Sequence, residues 1–423
     1  MEVLQDTYKD TIFRRLLGNI PKDWNIKEIS DFTKFSQGVQ VNVELQSSLP
    51  SNELIRFIRI VDYTQSTDDI RYVSKSYKKY IVNENDIVMI RYGTPGIIGR
   101  NIKGVIANNM FKISIDNSLA SNDYFEYFFK QKHIQEYLLM GSGSSTMPAL
   151  NFSYLKKFQV ALPPLQEQQK IAAILSTVDE QISITDKIIE MSKELKKGLM
   201  QKLFSEGIGH TEFKDTKVGR IPKDWQVIQL GELCEVITKG TTPTTNGFPY
   251  LKTGINFVKV ESINAFGRFI KEKFAFVGED CYKSFKRSQL KEGDILISIA
   301  GALGRTAIVT ENILPANTNQ AVGILRLKDK SLNNFIRYFL DSYSLQKFIE
   351  RINVASAQAN LNLGHLNKFN IPFPAINEQQ KIVAILSEAD AKIEKEQEQK
   401  TKLEQLKKGL MQQLLTGRKR VKV

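Results

Sequence analysis

Cysteine, histidine and long apolar runs are scarce in this chain of 423 residues, and each scarcity closes off a class of chemistry. Its two cysteines, Cys234 and Cys281, make no Cys-x-x-Cys pair; one disulfide is possible, but buried thiols in a reducing compartment fit better. The three histidines, His133, His210 and His365, are scattered without metal-ligand spacing, so no metal site is expected. No apolar run approaches the roughly 18 residues that cross a bilayer. The N-terminal MEVLQDTYKD has neither a basic n-region nor an apolar h-region, so no secretory signal is read there and a cytoplasmic protein is expected.

Catalytic signatures are missing as well. There is no G-x-G-x-x-G; Gly141-Ser142-Gly143-Ser144-Ser145-Thr146 lacks the third glycine and reads as a flexible loop. The glycine turns Gly93 to Arg100 and Gly301 to Arg305 lack the spacing and the Lys-Ser/Thr pair of a phosphate-binding loop. No Asn-Pro-Pro or Asp-Pro-Pro of the amino-methyltransferase kind occurs. Glu212-Phe213-Lys214 has the spacing of half a nuclease motif but no Pro-Asp upstream. The chain reads as non-catalytic, with no cofactor of its own.

What is abundant is positive charge. Lys and Arg number 59 against 46 Asp and Glu, for a net charge of +13 and a pI near 9.4. That surplus points to a polyanionic partner, nucleic acid before others. At 42% hydrophobic and 25% charged the composition is that of a globular protein, and the length exceeds one ordinary core.

The chain repeats itself. Pro163 to Ile182 reads PPLQEQQKIAAILSTVDEQI and Phe373 to Ile393 reads FPAINEQQKIVAILSEADAKI, so that Glu167 aligns with Glu378. The same offset aligns Lys196-Lys197-Gly198-Leu199-Met200-Gln201 with Lys407-Lys408-Gly409-Leu410-Met411-Gln412. Each half also opens on one phrase, Ile20-Pro21-Lys22-Asp23-Trp24 and Ile221-Pro222-Lys223-Asp224-Trp225. Between entry and exit the halves share a strand with a glycine turn, Asp86 to Arg91 and Asp294 to Ile299, and a helical stretch rich in Tyr and Phe, Asp123 to Leu139 and Leu332 to Ile352. Each half closes on a strand, Leu155 to Leu162 and Leu366 to Phe373; Leu54 to Val61 also patterns as a strand. The rest of the two interiors is dissimilar.

The repeated exits predict two long helices, Gln166 to Phe204 and Asn377 to Leu415. Ile171, Ile174, Val178, Ile182, Leu195 and Leu199 mark an apolar seam on the first, and Ile382, Ile385, Ile393, Leu403, Leu406 and Leu410 on the second. Helices this polar outside one stripe need a partner, and each other is the economical choice. Gly198 and Gly409, in the same place on both, suggest close backbone approach where the helices cross. The expected organisation is an N-terminal helix over 1–18, mixed domains over 19–162 and 219–373, and repeated spacer helices within 163–218 and 374–423. The class is α+β: two mixed domains joined by two long antiparallel coiled-coil helices.

Framed variable modules, the EQQKIxAILS helix openings, the IPKDW entries, the Gly293-Asp294-Ile295-Leu296 strand with its glycine turn and the KKGLMQ endings together resemble the specificity subunit of type I restriction-modification systems. The first half departs only in Asn85-Asp86 for Gly-Asp and in an expanded glycine turn. The resemblance covers nearly the whole chain. It implies target-recognition modules that each read half of a bipartite double-stranded DNA site, on helices that dock two modification (methyltransferase) subunits. Those partners would carry S-adenosylmethionine, and restriction subunits would add ATP- and Mg-dependent cleavage.

Arg and Lys reading guanine, and Asn or Gln reading adenine, are the usual base contacts. DNA-contact candidates in the first module are Gln37, Arg56, Arg59, Arg71, Lys75, Lys78, Lys79 and Arg91. In the second they are Lys239, Thr241, Thr242, Lys252, Lys259, Lys283, Lys286 and Arg287. Lys75 to Lys79 and Lys283 to Arg287 stand out, because each sets basic residues beside Tyr or Phe. Two other readings compete: a self-contained methylase, which needs a cofactor site not visible here, and a protein-binding scaffold, whose DNA binding would show little salt dependence.

Overall fold

The computed structural model describes residues 20–65, 68–140, 149–150, 152–353 and 361–422. The expected N-terminal helix and the Gly141 to Thr146 loop lie outside them. The chain divides into two compact units, Met1–Thr185 with Gln399–Val423, and Asp186–Glu398.

Among the described residues the first unit holds three sheets. Strands β2 (Thr33–Gln37), β6 (Ile87–Ile90), β7 (Ile98–Gly99) and β9 (Met110–Ile115) pair in the order β2-β9-β6-β7. Strands β3 (Leu54–Ile58), β4 (Arg71–Ser74), β5 (Ile81–Val82) and β8 (Gly104–Ile106) pair as β4-β3-β8-β5, with β3 and β8 parallel. β1 (Asn25–Glu28) pairs with β10 (Gln159–Leu162). β6, the unbroken apolar run IVMI, is buried at every position, as a strand covered on both faces must be.

The second unit repeats this plan. Strands β14 (Cys234–Lys239), β17 (Ile295–Ser298), β18 (Thr306–Ile308) and β20 (Val322–Leu327) pair as β14-β20-β17-β18. β15 (Ile255–Val258), β16 (Ala275–Val277) and β19 (Ala316–Thr318) pair as β16-β15-β19, again with one parallel pair, β15 with β19. β13 (Gln226–Gln229) pairs with β21 (Asn370–Phe373), and a hairpin, β11 (Phe213–Thr216) and β12 (Gly219–Pro222), precedes them.

Several predicted elements are split. The aromatic stretch of the first unit is two helices, α1 (Asn122–Phe129) and α2 (Lys132–Met140), and that of the second is α5 (Asn333–Leu340) and α6 (Tyr343–Asn353). At each break a polar side chain bonds back onto the helix it ends: Gln131 Nε2 to the Phe128 carbonyl, and Ser342 Oγ to the Phe339 carbonyl. The closing strands are shorter than predicted, because their first residues form helices α3 (Phe152–Lys156) and α7 (Leu363–Asn367). Asn362 caps the latter by accepting from the His365 amide at 2.8 Å.

The long helices are α4 (Leu165–Ser205, 41 residues) and α8 (Ile376–Leu414, 39 residues). Both unit boundaries fall inside them, so each unit contains a piece of each. Within the first unit Lys407 of α8 donates to Asp179 of α4 at 2.5 Å. Within the second, Lys196 of α4 donates to Asp390 of α8 at 2.6 Å. A tyrosine of each aromatic helix joins the same carboxylate, Tyr127 at 2.8 Å and Tyr338 at 2.9 Å. In both units residues late in one helix lie against residues early in the other, so the segments run antiparallel.

The helices also belong to the cores. Ile171, Leu175 and Leu414 pack with Phe125, Phe128 and Phe129. Met200, Phe204, Ile382 and Leu386 pack with Phe335 and Phe339. Along the predicted seam Ile171, Val178, Ile382 and Ile393 are buried, while Ile174, Ile182, Leu199, Leu403 and Leu410 are half-buried. Leu195, Leu406 and Ile385 lie exposed; the neighbouring Lys196 and Lys407 instead reach the partner helix. The expectation of close approach at Gly198 and Gly409 is corrected: a methyl added at either would meet nothing within 4 Å. Lysine-to-carboxylate contacts join the helices within each unit, and both glycines face open space.

Candidate nucleic-acid interface

The repeated phrases meet in space. Trp24 of the first entry phrase donates Nε1–H to Glu167 at 3.0 Å, and Trp225 of the second donates to Glu378 at 2.9 Å. Arg420 covers Glu167 with bonds of 2.7 and 2.8 Å, and His210 covers Glu378 at 2.9 Å. Gln168 and Gln379 each donate to a proline carbonyl just before their helix, Pro163 and Pro374, at 2.8 Å. The glutamate of each EQQK thus ties the start of a long helix to the entry tryptophan of its module, while the glutamine holds the turn into that helix, and the variable residues lie between these repeated contacts.

In the first unit three of the arginine candidates are held by carboxylates. Arg56 pairs with Asp62 at 2.7 Å, Arg59 with Asp69 at 3.1 Å, and Arg71 with Asp69 at 2.8 Å. The two guanidiniums hold the Asp69 carboxyl below its ordinary range by hydrogen bonding to its charged form. Lys75, Lys78 and Lys79 lie exposed on a short 3-10 stretch, Lys75–Tyr80, that carries little acid. Arg91 stacks on Tyr92 and Phe152 at 4.8 and 4.9 Å and donates to Gln37 at 3.1 Å. Gln37 in turn donates to the Asn108 carbonyl at 3.0 Å, and the Asn108 side-chain amide donates to Gln40 at 3.1 Å.

In the second unit Lys283, Lys286 and Arg287 line a groove of about 480 Å³ with Thr238, Lys291 and Arg326. Arg326 is neutralised by a two-pronged bond to Asp294, 2.7 Å on each prong, so that Lys286, Lys291 and Arg287 carry the positive charge of the groove. Lys283 is paired with Glu279 at 2.8 Å, and that contact raises its pKa. Arg287 reaches Thr241 at 3.4 Å, at the end of the β14 strand that carries Lys239 and leads to Thr242. Lys259 is paired with Glu261 at 2.8 Å, and Lys252 is exposed.

The structure therefore brings together Gln37 with Arg91, Thr241 with Arg287, and Lys283 and Lys286 with Arg287 along one groove, and it sets Arg56, Arg59 and Arg71 in one ion-paired cluster. Reading by charge passed over Asn108, Gln40 and Gln320. For Asn108 and Gln320 the sequence carries an amide pair, Asn108-Asn109 and Asn319-Gln320, just ahead of matching strands; Gln40 has no such signal. Among the described residues no three His, Cys, Asp or Glu converge as metal ligands, and no helix is long and apolar enough to cross a membrane.

Comparison with known proteins meets the same division. The model of the type I restriction modification DNA specificity domain matches twice, over residues 21–192 and 222–405. The chain is 29% identical to the MjaVIII specificity subunit of Methanocaldococcus jannaschii over 434 residues, covering 100% of this chain and 99% of that one. It is 24% identical to the EcoBI specificity subunit of Escherichia coli, over 78% of this chain and 72% of the relative. The S subunit of a type I restriction-modification system from M. genitalium has the same fold, with a TM-score of 0.58 at 18% identity, covering 94% of this chain and 96% of that one. With two DNA specificity domains, each on its own copy of one frame, the chain belongs to the type I restriction-modification specificity subunits.

Proposed function

We propose that the chain is the address-reading and scaffolding subunit of a type I restriction-modification complex, without catalysis of its own. Each unit reads one half of a bipartite, asymmetric DNA target. Modification subunits supply S-adenosylmethionine and methylate adenine, and restriction subunits, where present, add ATP- and Mg-dependent cleavage. The observation that carries this reading is the repeat of one hydrogen-bonded frame around two different sets of interior side chains. One frame holds both readers in the same way, and different contents make the two half-sites unlike.

Docking of two like partners is supported by surfaces that occur in both units. In the second, Lys193, Lys197, Gln201, Tyr343 and Gln346 line a groove of about 690 Å³. In the first, Lys132, His133, Lys408 and Gln412 line one of about 440 Å³. Lys197 and Gln201 are the repeat partners of Lys408 and Gln412. Helix α4 also exposes Ile184, Ile188, Met191 and Leu195, a stripe of apolar side chains at helical spacing.

The test is a module swap. Replacing Asp31 to Asn151 by the corresponding segment of a relative, with modification partners present, should change one half of the methylated site and leave the other as it was. Simultaneous change of both halves refutes modular reading. Methyl transfer by the purified chain alone would refute the non-catalytic role.

A further inference from the structure

One corner has the same backbone in both units and different side chains. In the first, the Gly38 amide donates to the Met110 carbonyl at 3.0 Å, and Val39 to Ile106 at 3.0 Å. The Met110 amide closes a turn onto Ala107 at 3.0 Å, and the Arg91 amide donates to Asn109 at 2.8 Å. In the second, Gly240 donates to Val322 at 3.1 Å, Thr241 to Thr318 at 3.0 Å, Val322 to Asn319 at 3.1 Å, and Ile299 to Ala321 at 2.8 Å. The correspondence is bond for bond and sets Asn108 opposite Gln320.

The glycines explain why the corner is fixed. A Cβ on Gly38 would lie 2.2 Å from the Ala107 carbonyl oxygen, and one on Gly240 would lie 2.1 Å from that of Thr318. No side chain fits between the strand end and the turn, so the turn is clamped in place. At its tip stands a carboxamide in both units, half-buried as Asn108 and exposed as Gln320. A carboxamide can donate and accept at once, which matches the N6/N7 edge of adenine.

The surroundings are suited to a nucleic acid and differ between the units. Beside Asn108 lie Gln37, Gln40 and the stacked guanidinium of Arg91. On the corner that carries Gln320, Arg287 bonds Thr241 and links the turn to the basic groove of Lys283 and Lys286. That groove supplies phosphate contacts, and the corner beside it supplies an amide without charge. Phosphate contacts position and base-edge contacts specify, so the two sit as a positioning wall and a reading tip.

Resting on the reading of both units as DNA-recognising, we propose that Asn108 and Gln320 are equivalent base-reading positions, each setting specificity at one place in its own half-site, with Gln37 beside Asn108. In the free chain the Asn108 side chain is held by Gln40, and Gln37 by the Asn108 carbonyl. On DNA these amides exchange those bonds for base edges, so they are partnered in either state.

The test uses the full chain together with its modification subunits and maps methylated sites across a genome by long-read sequencing. Asn108→Ala should relax one base position of one half-site, with discrimination falling about ten- to a hundredfold, the range of one bidentate base contact. Gln320→Ala should relax one position of the other half-site. Asn108→Gln and Gln320→Asn keep the carboxamide and the turn but alter its reach, and should shift stringency at the same positions; they serve if the alanine variants fold poorly. Unaltered site preference in the conservative and alanine variants overturns the inference. Sequence-independent methylation by the wild-type complex would overturn DNA reading by the units instead, before any variant is compared.

Discussion

Lys196 and Asp390, brought together at 2.6 Å from the two long helices, keep only 14% and 8% of their side-chain surface. Tyr338 binds the same carboxylate and lies beneath the lysine, its ring centroid 5.6 Å from Nζ. Asp390→Ala strands a mostly buried ammonium and should destabilise the second unit by about 3 kcal/mol. Arg337, 3.6 Å from the same carboxylate, keeps Asp390 compensated when Lys196 alone is changed, so Lys196→Met should cost less than Asp390→Ala, and adding Asp390→Leu to it should cost less than Asp390→Ala does in the wild type. Denaturant unfolding of the three variants decides it, and costs that merely add would show that the residues do not act as a pair.

Arg420 is the counterpart at the other clasp. Glu167 is 1% exposed and depends on that guanidinium for charge balance. Arg420→Ala should lower stability by about 1–3 kcal/mol, trimmed because the arginine itself is partly solvated. Arg420→Ala combined with Glu167→Gln should recover part of that stability, since the glutamine can still accept from Trp24 without a buried charge. Thermal melts that show no recovery would place the effect in packing of the arginine stem.

A pH dependence follows from Asp341. Burial pushes its carboxyl up from 3.8 to about 6, against Arg337 and Thr306, which pull it down. The folded state therefore holds a proton that the unfolded chain releases, and stability at this residue falls as pH rises from about 4 to about 6. Water still reaches 19% of the side chain, which keeps the effect to about 1–2 kcal/mol. Relative to Asp341→Asn, the wild type should lose melting temperature across that window and run parallel to it above pH 7. Parallel curves throughout would mean the carboxyl is not raised.

Lys75, Lys78 and Lys79 are exposed on a stretch that contains no acid, Lys75 donating to the Asn52 carbonyl, so their charge is available to phosphates. Removing all three should weaken binding of the assembled complex to every DNA sequence alike and lower the salt slope by roughly one for each phosphate no longer neutralised. The preferred site should stay as it was. A salt titration with the slope unchanged would assign them to the solvent face.

How far the sequence revealed this depended on whether a signal was local or distant. The repeat, the long helices and the buried β6 and β17 strands were legible, because periodicity and apolar runs act over a few residues. The breaks at Gln131 and Ser342 were not, since they arise from side chains bonding back to carbonyls whose availability depends on the fold. The role of Glu167 and Glu378 was hidden, although both stood in the strongest motif, because the partners Trp24 and Trp225 lie far away in sequence. Among the DNA candidates, positive charge alone could not separate Arg56, which Asp62 neutralises, from Lys78, which faces solvent. The positions proposed for base reading, Asn108 and Gln320, were not legible, because an uncharged amide in a turn resembles any loop residue until the clamp beneath it is seen.

Both tryptophans of the chain sit at the two clasps, Trp24 at 5% exposure in one unit and Trp225 at 1% in the other, each donating to a glutamate. The protein thus carries one optical probe per module without labelling. With Trp24→Phe the remaining fluorescence reports only the second module, and with Trp225→Phe only the first. Two emission channels then follow, in the unmodified surroundings of each site, whether the halves melt together or in turn, and whether a half-site oligonucleotide perturbs its own reader alone.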